Sequence, residues 1–150
     1  MQGGKGKAVV FGMLDGDGDL CTMHTANLRA QNVQSIIREH VEPGSAVMTD
    51  EHPSFVGLSA SGYYQHTVNH SAGEYVRHFC IPTNGIENVW ALLKRQIIGI
   101  HHFVSAKHLC RYLDEMTWRF NRREQEDGDR LNSLLSFADG RRLTYRTLVA

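Results

Sequence analysis

Thr83-Asn84-Gly85-Ile86-Glu87-Asn88-Val89-Trp90-Ala91-Leu92-Leu93-Lys94-Arg95 is the stretch whose reading decides the fold. At 100° per residue, Ile86, Val89, Trp90, Leu93 and Ile97 fall on one side, the signature of an amphipathic helix. Asn84, Glu87 and Lys94 are offset by three and seven, so they line one flank of that side. A helix docked through Trp90 and Leu93 leaves Asn88 and Arg95 exposed and holds Glu87 at the rim of the core. Packing fixes a rotamer at such a rim, as a metal-binding carboxylate requires. A solvated Glu-Lys pair on an ordinary surface helix accounts for the same residues.

A second acid lies upstream. Ala46-Val47-Met48-Thr49-Asp50-Glu51 is a short apolar and β-branched run that ends on Asp50. A carboxylate at the C-terminal end of a buried strand sits in the crevice where open α/β sheets keep their sites. Asp50 and Glu87, aimed at one place on the sheet's rim, could hold a divalent metal, and the two carboxylates are expected close together.

With 150 residues, 41% apolar and 21% charged, the chain has the make-up of one globular domain with a single core. Net charge is zero, but residues 1–75 carry 4 basic and 8 acidic side chains and residues 76–150 carry 12 and 8. An acidic half beside a basic half suits a protein that grips a phosphate backbone near a metal. Cys21, Cys80 and Cys110 are too far apart for a C-x-x-C motif and read as reduced thiols of a cytoplasmic protein. No leader and no apolar run near ~18 residues is present, so no membrane partner is expected.

Taken in order, residues 7–14 and 20–25 read as paired strands around the turn Asp15-Gly16-Asp17-Gly18. The alternating aspartates invite a calcium loop, but its sixth and twelfth places hold Leu20 and Ala26 instead of Gly and Glu. Residues 28–41 read as a helix with Asn27 as N-cap and Pro43-Gly44 as its stop. The Asp50 strand follows, then a short helix from Pro53 packing Phe55, Val56 and Leu58, and a strand over residues 63–69. His66 and His70, with His78 and Cys80 beyond, fall on strand and loop, where i, i+4 spacing does not make a zinc site. A long helix spans residues 105–123, apolar at Leu109, Tyr112, Leu113, Met116 and Phe120. Arg119, Arg122 and Arg123 at its end serve either the helix dipole or DNA contact. Residues 125–130 read as a polar linker, 131–138 as a last helix, and 141–150 as a basic, extended tail. Residues 1–123 are thus expected to form the core and 124–150 a C-terminal helix and tail.

Gly3-Gly4-Lys5, Thr49-Asp50-Glu51, Val68-Asn69-His70-Ser71, Thr83-Asn84-Gly85-Ile86-Glu87-Asn88-Val89-Trp90 with Leu93-Lys94-Arg95, and Arg119-Phe120-Asn121-Arg122-Arg123 occur in one order along the chain. In these residues the sequence resembles the DDE-type transposases of bacterial insertion sequences, in the ISXO-two-like group. Thr-Asn-x-x-Glu-x-x-Trp-x-x-x-Lys is the specific part of the resemblance. It implies an α/β fold of the ribonuclease H-like kind, a mixed sheet flanked by helices, with three carboxylate-bearing sites meeting at one edge. It also implies Mg2+ or Mn2+ as cofactor and DNA, both transposon ends and target, as partner, with a homo-oligomer on DNA. By the same resemblance, metal-activated water or a DNA 3′-hydroxyl would attack a phosphodiester. Asp50 and Glu87 would hold metal, with Asn84 or Glu87 in the third catalytic role. A carboxylate is the better ligand for a hard cation, which favours Glu87. Lys94, Arg95, His70, Arg122 and Arg123 would contact DNA.

One departure matters. The family's opening strand carries an Asp shortly before Gly-Gly-Lys, whereas this chain reads Met1-Gln2-Gly3-Gly4-Lys5. The expectation is therefore an amino-truncated domain that lacks its first central strand, leaves the hairpin and the Asp50 strand each with an unpaired edge, and is impaired in catalysis. A non-catalytic nucleic-acid-binding remnant of the same fold and a purely hydrolytic nuclease are the alternative functions.

Overall fold

The computed structural model describes residues 8–68 and 84–149. Strand β1 (Val9–Leu14) pairs antiparallel with β2 (Leu20–Thr25), in a register running from Val9↔Thr25 to Leu14↔Leu20. The Asp15 amide donates to the Asp19 carbonyl at 3.0 Å, and Asp15 Oδ1 accepts the Asp19 amide at 2.8 Å. Gly18 closes the turn at φ +91°, a left-handed conformation that glycine adopts without a Cβ penalty. The aspartates therefore build a hairpin, as their spacing predicts.

Alternation along β1 sends its side chains to two different cores. Phe11 and Met13 pack with Val33 and Ile37 of helix α1 (Ala30–His40). Val10 and Leu14 pack on the other face with Val89 and Leu93 of helix α2 (Asn84–Gln96) and with Leu109, Leu113 and Met116 of helix α3 (Leu109–Asn121). The hairpin is thus the middle of three layers, a mixed α/β arrangement. Helix α3 is fixed on β2 by polar ties. Thr117 and Thr22 hydroxyls meet at 2.7 Å, Asn121 Nδ2 donates to the Leu20 carbonyl at 3.0 Å, and Asn121 Oδ1 accepts the Leu20 amide at 2.7 Å.

Strand β3 (Ala46–Thr49) pairs parallel with β4 (Tyr64–Thr67), from Ala46↔Tyr64 to Thr49↔Thr67. Val47 and Tyr63 join the core on the α1 side. Among the described residues the four strands form two two-stranded sheets, so each is paired on one side only. The single mixed sheet expected from the resemblance is not seen among the described residues, where β1 and β3 belong to separate two-stranded sheets and each has an unpaired edge. No helix among the described residues is long and apolar enough to cross a membrane.

Several boundaries differ from the sequence reading. The segment after Pro53 forms two 3-10 turns, Pro53–Phe55 and Ser59–Ser61, and Val56 between them points outward while Leu58 is fully buried. Asn27 is not the N-cap of α1. Arg29 takes that place, and Asn27 Oδ1 accepts the Arg29 amide one turn earlier. Helix α3 starts at Leu109, four residues after the expected Ser105. Most of the expected linker belongs to helix α4 (Asp127–Ala138), whose first-turn Asp127 and Asp129 favour the positive end of the helix dipole. The expected extended tail contains helix α5 (Tyr145–Val149), entered through Thr144, whose Oγ1 accepts the Thr147 amide at 3.3 Å. Cys21 and Cys110 are free thiols, and burial pushes the Cys21 thiol pKa up; Cys80 lies outside the described residues.

Candidate catalytic site

Asp50 follows the last residue of β3 and is exposed. Its Oδ1 accepts the His52 amide at 3.0 Å, an Asx-turn that Asp is suited to make. His52 in turn caps the next turn, its Nδ1 accepting the Ser54 amide at 3.2 Å, and the buried Ser54 hydroxyl donates to the Leu28 carbonyl. The chain leaving β3 is thereby tied to the start of α1, and the carboxylate is presented at a strand end held by short-range bonds. Beside it, Gln65 Nε2 donates to Thr49 Oγ1 at 3.1 Å across the parallel pair.

Glu87 lies in the first turn of α2 and is exposed, while two residues on Val89 is fully buried and Leu93 is nearly so. Trp90 is half-buried and lies against Gly12 of β1. A Cβ on Gly12 would come within 2.6 Å of Trp90 Cη2. Asn88 and Arg95 are exposed, as the helix reading predicts. Glu87 is thus an exposed residue in the first turn of a helix whose neighbouring face packs on the hairpin.

Asp50 and Glu87 are carried by different layers. Asp50 ends a strand that packs towards α1, and Glu87 stands on a helix packed on the opposite face of β1. No three His, Cys, Asp or Glu side chains among the described residues gather where one metal ion could bind them. Two divalent ions need bridging oxygens from several carboxylates. Asp50 and Glu87 by themselves therefore do not fit a two-metal centre. Asn84 opens α2, with its side chain outside the described parts of the structure, and His70 also lies outside the described residues.

Lys94 and Arg95 are exposed at the end of α2. The arginines after α3 have contacts of another kind. Arg122 lies over the rings of Trp118 and Phe137, at 5.0 and 5.8 Å from their centroids. Arg123 Nη1 donates to the carbonyls of Gly18 and Phe120, each at 3.0 Å, with its guanidinium over the Phe120 ring. Together with Asn121, Arg123 fastens the end of α3 to the hairpin turn and the start of β2. Sequence reasoning did not find this scaffold role. Its only trace is an amide and a guanidinium placed just where a helix ends.

The pattern of the ISXO2-like transposase domain matches residues 1–121. The chain belongs to that family. An uncharacterized transposase-like protein of Haemophilus influenzae is 35% identical over 107 residues, 69% of this chain and 85% of that protein. No solved structure matches the chain. The stretch matched by the ISXO2-like family ends at Asn121, at the close of α3, and contains both Asp50 and Glu87.

Proposed function

We propose that the chain is the catalytic domain of an insertion-sequence transposase, cutting and joining DNA strands with a divalent metal in a ribonuclease H-like arrangement. The observation that carries this reading is Asp50 at the C-terminal end of β3, a strand whose other edge is unpaired among the described residues, in a chain of a transposase family. A strand from outside the described residues, set between β1 and β3 and bearing a carboxylate, would join the two half-sheets and bring the third acid to Asp50 and Glu87. Magnesium or manganese would then be held by these three groups. Asn84 competes with Glu87 for the last position, and the harder carboxylate donor favours Glu87. Lys94 and Arg95, with His70 and the charges of Arg122 and Arg123, would meet the phosphate backbone. A guanidinium resting on an aromatic ring keeps its charge, so the scaffold contacts of the last two do not remove them from that role.

A second reading, a nucleic-acid-binding domain without catalysis, is favoured by the lack of a three-ligand cluster among the described residues. Both are tested by comparing the 150-residue chain with one extended at its amino end by an Asp-bearing strand. The assay uses DNA carrying the element's ends, with magnesium. The extended chain is expected to cleave and join strands, and Asp50→Ala or Glu87→Gln to abolish both while DNA binding persists. DNA binding without cleavage by a folded extended chain selects the second reading. Robust cleavage by the short chain that Asp50→Ala removes would show that the added carboxylate is dispensable.

A further inference from the structure

Three large apolar side chains stand out of the molecule just beyond the end of α2. Ile98 and Ile100 are each 69% exposed, and Phe103 is 79% exposed. They are firmly mounted. Ile97 before them and Val104 after them pack against the core that holds Val89, Leu93 and Leu109. His101 turns inward as well, its ring edge-on to Tyr112 with the centroids 4.5 Å apart. Between these anchors the backbone runs as the π-turn Ile97–His101, a departure from the α-helix that is frequent at functional positions. His102 then takes φ +59° and ψ −41°, a strained conformation for a residue with a Cβ. The Phe103 amide donates to the His101 carbonyl at 2.6 Å, and His102 Nδ1 lies 3.1 Å from the Ile98 carbonyl. A short, braced turn thus holds apolar side chains out in water.

The charges around the turn say what fits it. Residues 88–113 contain Lys94, Arg95, Lys107 and Arg111 and no Asp or Glu. All four basic residues are exposed. An apolar knob with only positive charge before and after it in the chain suits a polyanion with an apolar interior. Duplex DNA has that make-up, with phosphates outside and stacked base faces within. Lys and Arg neutralise the phosphates, and Phe or Ile side chains can enter between base pairs and part them.

We propose that Ile98, Ile100 and Phe103 form a wedge that enters a base step of bound duplex DNA, with Lys94 and Arg95 on the phosphates beside it. The inference rests on the DNA-contact role proposed above for Lys94 and Arg95, and it adds residues that touch bases. Because the turn is already braced, its side chains lose little freedom on insertion.

The test uses the full 150-residue chain and short duplexes carrying 2-aminopurine, whose fluorescence rises when the base unstacks. One duplex has the probe at a T-A step, which parts readily, and the other has it within a stiff A-tract. At saturation the chain is expected to raise the fluorescence at the T-A step more than in the A-tract. Phe103→Ser and Ile100→Ser should each lose most of that rise while still binding, with circular dichroism unchanged because both side chains are exposed. Lys94→Ala with Arg95→Ala should weaken binding and flatten the slope of log K against log salt by about 2, yet keep the rise at saturation. Binding without any rise, or a rise that survives both Phe103→Ser and Ile100→Ser, overturns the wedge and leaves the DNA contact standing. Failure to bind either duplex overturns both. Phe103-dependent binding to vesicles of phosphatidylserine and phosphatidylcholine, with no rise on DNA, would assign the knob to a lipid surface instead and overturn the proposal.

Discussion

Gly12 and Trp90 show how one missing side chain sets the position of a helix. Gly in the middle of a strand normally costs roughly 0.5–1 kcal/mol relative to Ala. Here a Cβ would stand 2.6 and 2.8 Å from two carbons of the indole, far inside van der Waals contact. Gly12→Ala is therefore expected to destabilise the fold by about 1–3 kcal/mol through overpacking, which outweighs the propensity gain. Combining it with Trp90→Phe should recover part of the loss, since the two side chains share one space. Denaturant titrations of the two single variants and the double variant check this, and simple additivity would contradict the contact. Asn121 is the second such residue. Its amide satisfies both the N–H and the carbonyl of Leu20, a residue only 3% exposed. Asn121→Ala leaves both groups without that partner and is expected to cost about 1–3 kcal/mol. Asn121→Asp should be no better, because its carboxylate can accept the amide proton but opposes the carbonyl oxygen. A near-neutral thermal shift in both variants would show that the tie contributes nothing. The place of Trp90 on the packed face was legible from helical periodicity alone, although the side chain is half-buried and not buried as that reading expected. The role of Asn121 was not, because a contact across about a hundred residues leaves no local pattern.

At the scale of elements, the sequence was readable wherever apolar spacing and turn chemistry agreed. The β1–β2 hairpin follows from two apolar runs around Asp15-Gly16-Asp17-Gly18, and α2 follows from Ile86, Val89, Trp90 and Leu93. Readings failed where polarity was taken for lack of structure. Residues 127–130 are polar yet helical, because acids in a first turn favour a helix start. Residues 145–149 are helical because Thr144 caps them, although β-branched and basic residues suggested an extended tail. The end of α2 was hidden for a different reason. Its backbone widens into a π-turn over Ile97–His101 and stops at His102 with φ +59°, a conformation no residue type there announces. As for the candidate site, the strand-end place of Asp50 and the rim place of Glu87 could both be read from the chain. The bonds that fix the Asp50 loop through His52, Ser54 and Leu28 could not, since they depend on how β3 meets α1.

At the scale of the whole molecule, the decisive feature is that, among the described residues, β1 and β3 each keep one unpaired edge while sharing a core with α1. Two-stranded sheets are marginal on their own and depend here on helices for their stability. The β3–β4 pair is short, and Tyr64, His66 and Thr67 of β4 are exposed. Its amides are therefore expected to exchange with solvent much faster than those of α3, which is anchored by Leu109, Leu113 and Met116. The same edges make a prediction about the strand proposed to lie between them. An inserted strand would accept hydrogen bonds from β1 on one side and β3 on the other, turning two ladders into one sheet. In the chain extended by such a strand, amides of Val9–Leu14 and Ala46–Thr49 that face the opening should become protected, while those already bonded within each pair should change less. Hydrogen exchange read residue by residue distinguishes this from general tightening of the fold, which would slow exchange in α3 by a similar factor. Protection confined to the edges of β1 and β3 is the expected result. Unchanged exchange at both edges would show that the halves do not belong to one sheet, whatever the extended chain does to DNA.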